Sequence, residues 1–123
     1  MLKELNLRSS ELNSSITSIY FGGGSPSLMR APALAAFLEV LSRFEWAADI
    51  EITVEVNPDD VTAAYLSELK SLGVNRLSVG IQSFHQKDLI LMNRAHDSTQ
   101  ALNALELIAA QFENFSLDLI YGM

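Results

Sequence analysis

Short apolar runs rich in β-branched residues alternate along the chain with longer segments whose apolar residues recur at helical spacing. Runs of the first kind predict four strands, at 15–21, 51–56, 75–82 and 115–122. Segments of the second kind predict helices at 33–44, 60–73, 86–93 and 98–112. Strands separated by helices predict right-handed crossovers and a parallel sheet, so the predicted fold class is α/β.

The residues alone leave two α/β architectures open. A doubly wound sheet carries helices on both faces, whereas a (β/α) barrel carries them on its outer face only. A chain with four such strands would be half of a barrel, with two strand edges and one apolar face exposed. We therefore expect it to associate, either with a missing part of the barrel or with another copy as an oligomer.

The composition narrows the class of protein. Hydrophobic residues make up 49% of the 123 residues, which is enough for one packed core. No apolar run is long enough to span a membrane and the N-terminal residues lack the apolar core of a signal peptide, so we expect a cytoplasmic protein. The net charge is −7 and the basic residues are scattered, which disfavours binding to nucleic acid.

The chain contains no cysteine. This excludes disulfides, thiolate nucleophiles and cysteine-ligated metal sites within these residues. The two histidines, His85 and His96, are eleven residues apart, which is no recognised metal-binding spacing. We interpret both as surface-loop residues and assign no metal site.

Polar groups follow every predicted strand. Ligands of parallel sheets and barrels bind at the carboxyl ends of the strands. The residues at these ends are, in chain order, Gly22, Gly23, Gly24, Ser25, Glu55, Asn57, Gln82, Ser83, Asp118 and Tyr121. Because the carboxyl ends of parallel strands meet at one edge, this set predicts a single binding site.

The glycine run in YFGGGSPS (20–27) has two interpretations. Glycine lets the backbone approach a ligand closely, and it also permits a tight turn at positive φ. We favour close approach to a ligand, because three glycines are followed by Ser25 and Pro26. The segment is neither a Walker loop nor a GxGxxG dinucleotide turn.

Two carboxylates lie near strand ends. Glu55 lies on the polar face of its strand, where it could grip a ribose diol or balance a cation; a solvated or salt-bridged structural role is the alternative. Asp118 lies between Leu117 and Leu119 and is predicted to be buried. Since a buried carboxylate needs a partner, Arg94 is a candidate for an ion pair with it.

Four segments together resemble a known family. They are IYFGGGSPSLM (19–29), EITVEVNPDDVT (51–62), GVNRLSVGIQSFHQKDLILMNRAHD (73–97) and FSLDLIYGM (115–123). In this order and spacing they resemble the oxygen-independent coproporphyrinogen III oxidase-like radical S-adenosylmethionine proteins, with most similarity to the haem-chaperone branch, HemW. The resemblance runs from Ile16 to Met123.

The resemblance implies a barrel of six parallel strands with a four-iron four-sulfur cluster held by a CxxxCxxC loop after the first strand. This chain, residues 1–123, would be a single partial domain with strands two to five, without the cluster loop or the sixth strand. Contacts to S-adenosylmethionine would come from Gly23, Gly24 and Ser25, and its ribose would be bound by Glu55. The same resemblance matches three residues to a second S-adenosylmethionine site of the oxidase branch, namely Gln82, Arg94 and Asp118.

The chain has no cysteine and so lacks the ligands for the iron–sulfur cluster on which the family's chemistry depends. Three thiolates are needed to hold the cluster that reduces the sulfonium, so we expect no cleavage of S-adenosylmethionine by this chain alone and assign no catalytic residue. The resulting prediction is a fragment of a radical S-adenosylmethionine oxidase or haem chaperone that contributes the cofactor-binding wall. The alternative is a non-catalytic half-barrel that binds a nucleotide or haem and self-associates.

Overall fold

The computed structural model describes residues 1–24 and 29–122. In chain order the helices and strands are α1 (Leu2–Leu7), β1 (Ile16–Phe21), α2 (Ala31–Leu41), β2 (Trp46–Val56), α3 (Ala63–Ser71), β3 (Arg76–Gln82), α4 (Gln86–Leu91), α5 (Ser98–Gln111) and β4 (Phe115–Leu119). Short 3-10 turns lie at Ser9–Glu11 and Pro58–Asp60. The predicted alternation of strands and helices is confirmed.

The strands form one sheet in the order β1-β2-β3-β4, and every pair of neighbours is parallel. Each crossover therefore returns the chain to the start of the next strand. Side chains from α2, α3 and α5 form one buried core with a single face of this sheet. Helices packed on one face are the arrangement of a partial (β/α) barrel rather than of a doubly wound sheet.

The core follows from the alternation of side chains along the strands. Ile52, Val54 and Val56 are buried against the helices, while Glu51 is exposed and Glu55 is half-buried. The largest fully buried side chains include Leu34, Ile52, Leu66, Leu69, Leu77, Ile81 and Ile108. They come from three helices and the two central strands, so the core holds the carboxyl ends of the strands in fixed positions.

The opposite face of the sheet is polar. Strand pairing places Tyr20 beside Thr53, Glu55 beside Ser78, and Ser78 beside Ser116. The expectation of an exposed apolar face is therefore wrong, because the strands direct their apolar residues toward the helices and their polar residues toward the barrel interior. The edges of β1 and β4 are unpaired within the described sheet, as expected of a partial barrel.

Several element boundaries differ from the predictions; for example, α2 ends at Leu41 rather than at 44, and β4 ends at Leu119 rather than at 122. β2 begins at Trp46 rather than at 51, because its first residue already pairs with β1. α3 begins at Ala63 rather than at 60, because the Thr62 hydroxyl caps it by accepting a hydrogen bond from the Tyr65 N–H. None of the helices in residues 1–24 and 29–122 has the length and hydropathy needed to cross a membrane.

Candidate functional site

A cleft of about 160 Å³ opens on the polar face, at the carboxyl ends of the strands. It is lined by Gly24, Glu55, Val56, Asn57, Ser78, Gly80, Gln82, Arg94 and Asp118. Five of these residues are among the seven that the resemblance matched to S-adenosylmethionine contacts, and they come from all four of the resembling segments: Gly24, Glu55, Gln82, Arg94 and Asp118. Gly23 adjoins the cleft through a bond to Glu55, and Ser25 lies outside the described residues.

Glu55, near the end of β2, is held from two sides. The Tyr20 hydroxyl donates a hydrogen bond to Oε1 at 2.8 Å, and the Gly23 N–H donates one to Oε2 at 3.1 Å. Hydrogen bonds to an ionised carboxylate are roughly twice as strong as neutral ones. These two donors orient the carboxylate, so Glu55 is neither a freely solvated side chain nor a member of a salt bridge among the described residues.

The glycines of the run serve different purposes. A Cβ on Gly22 would lie 2.5 Å from Tyr20 Cε1 and 2.8 Å from Glu55 Oε1, so the hydrogen-bonded pair itself fills the space over Gly22. Within residues 1–24 and 29–122, no atom lies within 4 Å of a Cβ built on Gly23 or Gly24, but their φ values are +80° and +69°, which side chains rarely adopt. The turn at positive φ is therefore present, and Gly24 also lines the cleft.

Tyr20 is a neighbour of the cleft that the sequence reasoning missed. Its hydrogen bond to Glu55 and its partial burial raise the pKa of its hydroxyl, which therefore stays protonated and available as a donor at neutral pH. The spacing of Tyr20 in the sequence could have indicated this position. Tyr20 lies two residues before Gly22, so both are on the same face of the strand, and Gly22 has no side chain there.

Gln82 ends β3 with a φ of +68°, which is uncommon for a residue with a side chain. The Ser83 N–H donates to the Ile81 carbonyl at 2.8 Å, so residues 81–83 form a γ-turn of the rare, strained type with positive φ. The Ile120 N–H donates to the Gln82 carbonyl at 2.8 Å and ties this turn to the segment after β4. Backbone strain of this kind clusters at ligand-binding sites.

The structure does not form the predicted ion pair between Arg94 and Asp118. Arg94 Nη2 donates to Asn57 Oδ1 at 3.1 Å, and Asp118 Oδ2 accepts a hydrogen bond from the Ser78 hydroxyl at 3.1 Å. The prediction that Asp118 is buried is wrong, because β4 is an edge strand and leaves this side chain exposed. Both charged groups line the cleft, which therefore presents a guanidinium and two carboxylates to a ligand.

The two histidines have different surroundings. His85 is exposed just before α4, as predicted. His96 is only 2% exposed, and its Nε2 lies 3.0 Å from the Ile81 carbonyl oxygen. The interpretation of His96 as a surface-loop residue is wrong, because the segment between α4 and α5 folds over the end of β3.

The described residues do not fit a metal cluster. Within the described ranges, no three His, Asp or Glu residues converge in a way that could hold a metal ion. The full sequence has no cysteine. Thiolate ligation of a four-iron four-sulfur cluster is therefore not available from these 123 residues.

The fold and the cleft define a partial (β/α) barrel with a polar cleft at the carboxyl ends of its strands. The sequence profile of the Radical SAM superfamily matches residues 4–123. The chain belongs to this superfamily.

Within this superfamily, the chain is similar in sequence to individual curated proteins. The chain is 39% identical over 110 residues to the heme chaperone HemW of Escherichia coli (strain K12), an alignment that covers 88% of this chain and 29% of that protein. It is 40% identical over 113 residues to the mitochondrial radical S-adenosyl methionine domain-containing protein 1 of Dictyostelium discoideum, covering 87% of this chain and 25% of that protein. The chain therefore spans less than a third of the length of these curated relatives.

The chain also resembles solved structures in its fold. Coproporphyrinogen III oxidase (HemN) from Escherichia coli, a radical SAM enzyme, matches with a TM-score of 0.86 at 29% identity, over 99% of this chain and 29% of that one. The archaeal Elp3 of Methanocaldococcus infernus matches with a TM-score of 0.73 at 16% identity, over 99% of this chain and 33% of that one, which is a likeness of fold alone. The predicted resemblance to the HemN and HemW proteins is confirmed.

Proposed function

We propose that this chain supplies the S-adenosylmethionine-binding wall of a longer radical SAM protein of the HemW and HemN type, with a porphyrin- or haem-related role. The observation that carries the proposal is the convergence of five predicted site residues on one cleft. We take residues 1–123 to be one partial barrel domain, to which the rest of the longer protein adds the first and last strands.

In this proposal Glu55 binds the ribose hydroxyls of S-adenosylmethionine. An ionised carboxylate has about four lone-pair positions, and the bonds from Tyr20 and Gly23 use two of them. The remaining positions are available to a diol at the mouth of the cleft. Because the carboxylate is already oriented by its two donors, little conformational entropy is lost when the ribose binds.

The amino-acid end of the ligand is assigned to Gly23, Gly24 and Ser25. Gly24 lines the cleft, and no atom of the other described residues lies within 4 Å of its missing Cβ, which supports the approach of a ligand to its backbone. On the opposite wall, Gln82, Arg94 and Asp118 offer an amide, a guanidinium and a carboxylate. We assign these three groups to a second S-adenosylmethionine molecule, as the relation to coproporphyrinogen III oxidase suggests.

The chemistry of a radical SAM protein belongs, in this proposal, to the longer protein. An iron–sulfur cluster supplies the electron that reduces the sulfonium, and the residues present here do not fit such a cluster. We therefore expect this chain alone to bind S-adenosylmethionine without cleaving it.

A second candidate function is that of a non-catalytic half-barrel that self-associates. The unpaired edges of β1 and β4 favour it, because open strand edges pair readily with another chain. Haem is a candidate ligand of such an assembly, since the relative in Escherichia coli is named a heme chaperone. Of the two histidines, only His85 is exposed and free to reach a haem iron, because His96 is buried.

The proposed function is tested by titrating S-adenosylmethionine into the chain and into its Glu55→Gln variant. Loss of the charge should weaken binding by about 1–3 kcal/mol, or roughly 5- to 150-fold in Kd. Glu51→Gln is the matched control, because Glu51 lies on the same face of the same strand, is exposed and does not line the cleft. That variant should bind as the unaltered chain does.

Adenosine and 2′,3′-dideoxyadenosine separate a ribose contact from a general charge effect. The unaltered chain should prefer the ligand with both hydroxyls, and Glu55→Gln should lose that preference. Equal affinities of the Glu55→Gln and Glu51→Gln variants would disprove the ribose assignment. Absence of saturable binding to the unaltered chain would reject the cofactor-wall proposal in favour of the self-associating half-barrel.

A further inference from the structure

We propose that His96 is a positioning residue, whose buried imidazole holds the strained turn at Gln82 and with it the Gln82–Arg94 wall of the cleft. The inference deepens the proposed function and rests on it only for the identity of the ligand.

The hydrogen bonding of His96 assigns the tautomer of its ring. Nε2 lies 3.0 Å from the Ile81 carbonyl oxygen, which can only accept, so Nε2 carries the proton. Nδ1 is buried and has no hydrogen-bond partner among the described residues; Asp59 Oδ1 is 3.9 Å away. The ring therefore uses its one donor on the backbone of β3.

The carbonyl that His96 contacts is the one that closes the γ-turn. Ile81 oxygen accepts the Ser83 N–H at 2.8 Å and the imidazole Nε2–H at 3.0 Å, which uses both of its lone pairs. Gln82, with φ of +68°, lies between the two ends of that turn. A strained backbone persists only where its surroundings over-determine it, and His96 is the side chain that adds a second bond at this carbonyl.

The hydrogen bond from His96 to the Ile81 carbonyl also helps to position the Gln82 and Arg94 side chains in the wall of the cleft. Around the missing Cβ of Gly80 lie Gln82 Nε2 at 3.1 Å, Asn57 Oδ1 at 3.4 Å and Arg94 Nη2 at 3.7 Å. Gln82 belongs to the turn that His96 holds, and Arg94 precedes His96 by two residues. One buried ring therefore fixes both the strand end and the loop that deliver these two groups to the cleft.

A core histidine that merely fills space would give the same burial, and two substitutions separate the roles. His96→Gln keeps an N–H donor within reach of the Ile81 carbonyl. His96→Leu keeps apolar volume and removes the donor. His85→Leu is the matched control, because His85 is the exposed histidine and lies outside the cleft.

The first readout needs no ligand. Hydrogen exchange at the Ser83 and Ile120 amides, whose acceptors are the Ile81 and Gln82 carbonyls, reports opening of the turn. His96→Leu should exchange about tenfold faster at both amides, while His96→Gln and His85→Leu should match the unaltered chain. The Kd for S-adenosylmethionine should rise in the same order, about tenfold for His96→Leu.

Equal exchange in His96→Leu and the unaltered chain would overturn the inference, as would equal impairment of the Leu and Gln variants. If His96→Leu does not fold, nitrogen-15 spectra of the unaltered chain still test the proposal, since an Nδ1–H tautomer would refute it and an Nε2–H tautomer would support it. A chain that binds no S-adenosylmethionine rejects the proposed function, whereas the exchange rates still decide the role of His96.

Discussion

A methyl group added at Gly22 tests whether the Tyr20–Glu55 pair is the reason for that glycine. In the Gly22→Ala variant the new Cβ would lie 2.5 Å from Tyr20 Cε1 and 2.8 Å from Glu55 Oε1, closer than Cβ atoms approach other heavy atoms. Gly22 does not have a positive φ, so the backbone itself accepts alanine without strain. The Tyr20 and Glu55 side chains must therefore move, and Tyr20, which is closest to the new Cβ and exposed, has room to do so.

The magnitude follows from what that movement breaks. A hydrogen bond to a charged group contributes roughly 1.5–3 kcal/mol when it is buried. Tyr20 is 55% exposed, so water replaces much of the lost bond, and we expect a cost of about 1 kcal/mol. Replacing glycine also reduces the entropy of the unfolded chain, which stabilises by about 0.4–1 kcal/mol. The free energy of unfolding should therefore fall by no more than about 1 kcal/mol.

Binding should respond more strongly than stability. In this variant Glu55 should keep the Gly23 N–H and lose the Tyr20 donor that orients its Oε1, so the proposed ribose contact should weaken. We expect the Kd for S-adenosylmethionine to rise about tenfold in Gly22→Ala. Urea denaturation measures the first quantity and calorimetric titration the second.

A double-mutant cycle with Tyr20→Ala isolates the cause. Without the ring, the closest contact of the new Cβ is gone, and Gly22→Ala should cost about 1 kcal/mol less than it does beside tyrosine. Gly24→Ala is the control, because a Cβ on Gly24 would have no Tyr20 atom within 4 Å and its φ is +69°, so its backbone strain of ~1–2 kcal/mol should not depend on Tyr20. An equal cost of Gly22→Ala in both backgrounds would show that the ring does not exclude a side chain there.

Two further substitutions test strain and burial. Gln82→Gly should leave the free energy of unfolding unchanged or raise it by about 1 kcal/mol, since glycine adopts a φ of +68° freely. The same substitution should weaken binding of S-adenosylmethionine. An unchanged affinity in titration would show that Gln82 is not part of the proposed site. Burial, with Asp60 and Glu68 nearby, raises the pKa of Tyr65 to about 12 from its ordinary 10.0, so the folded chain favours the neutral phenol and loses stability as pH rises from about 10 to 12. Tyr65→Phe should show a smaller loss in urea midpoints measured across that range, and an identical loss would place the titrating group elsewhere.

The strands and part of the lining of the cleft were predictable from local signals, whereas Val56, Ser78 and Gly80 were not among the predicted site residues. β-branched runs and their spacing predict a parallel sheet, and carboxyl ends of parallel strands meet at one edge. Alternation along β2 predicts Glu55 on the polar face. The positions of Gly24, Gln82 and Asp118 at strand ends predict them at the same edge of the sheet. These inferences need only periodicity and chain direction, which the sequence contains.

The contacts within the cleft were not predictable, because they depend on register and on the path of loops. Tyr20 and Glu55 meet across 35 residues through the pairing of β1 with β2. His96 reaches the Ile81 carbonyl across 15 residues because the loop before α5 folds back. The expected ion pair between Arg94 and Asp118 is absent because it also depends on the path of this loop. The loop brings the Arg94 guanidinium to Asn57, 37 residues away, and β4 leaves Asp118 at an exposed edge.

Both walls of the cleft are held by groups of the chain itself. On one wall Tyr20 and Gly23 orient Glu55, and on the other the Ile81 carbonyl fixes Gln82 through His96. A site ordered before the ligand arrives avoids most of the entropy cost of binding. The chain should therefore form its binding wall in the absence of the segment that would hold the cluster.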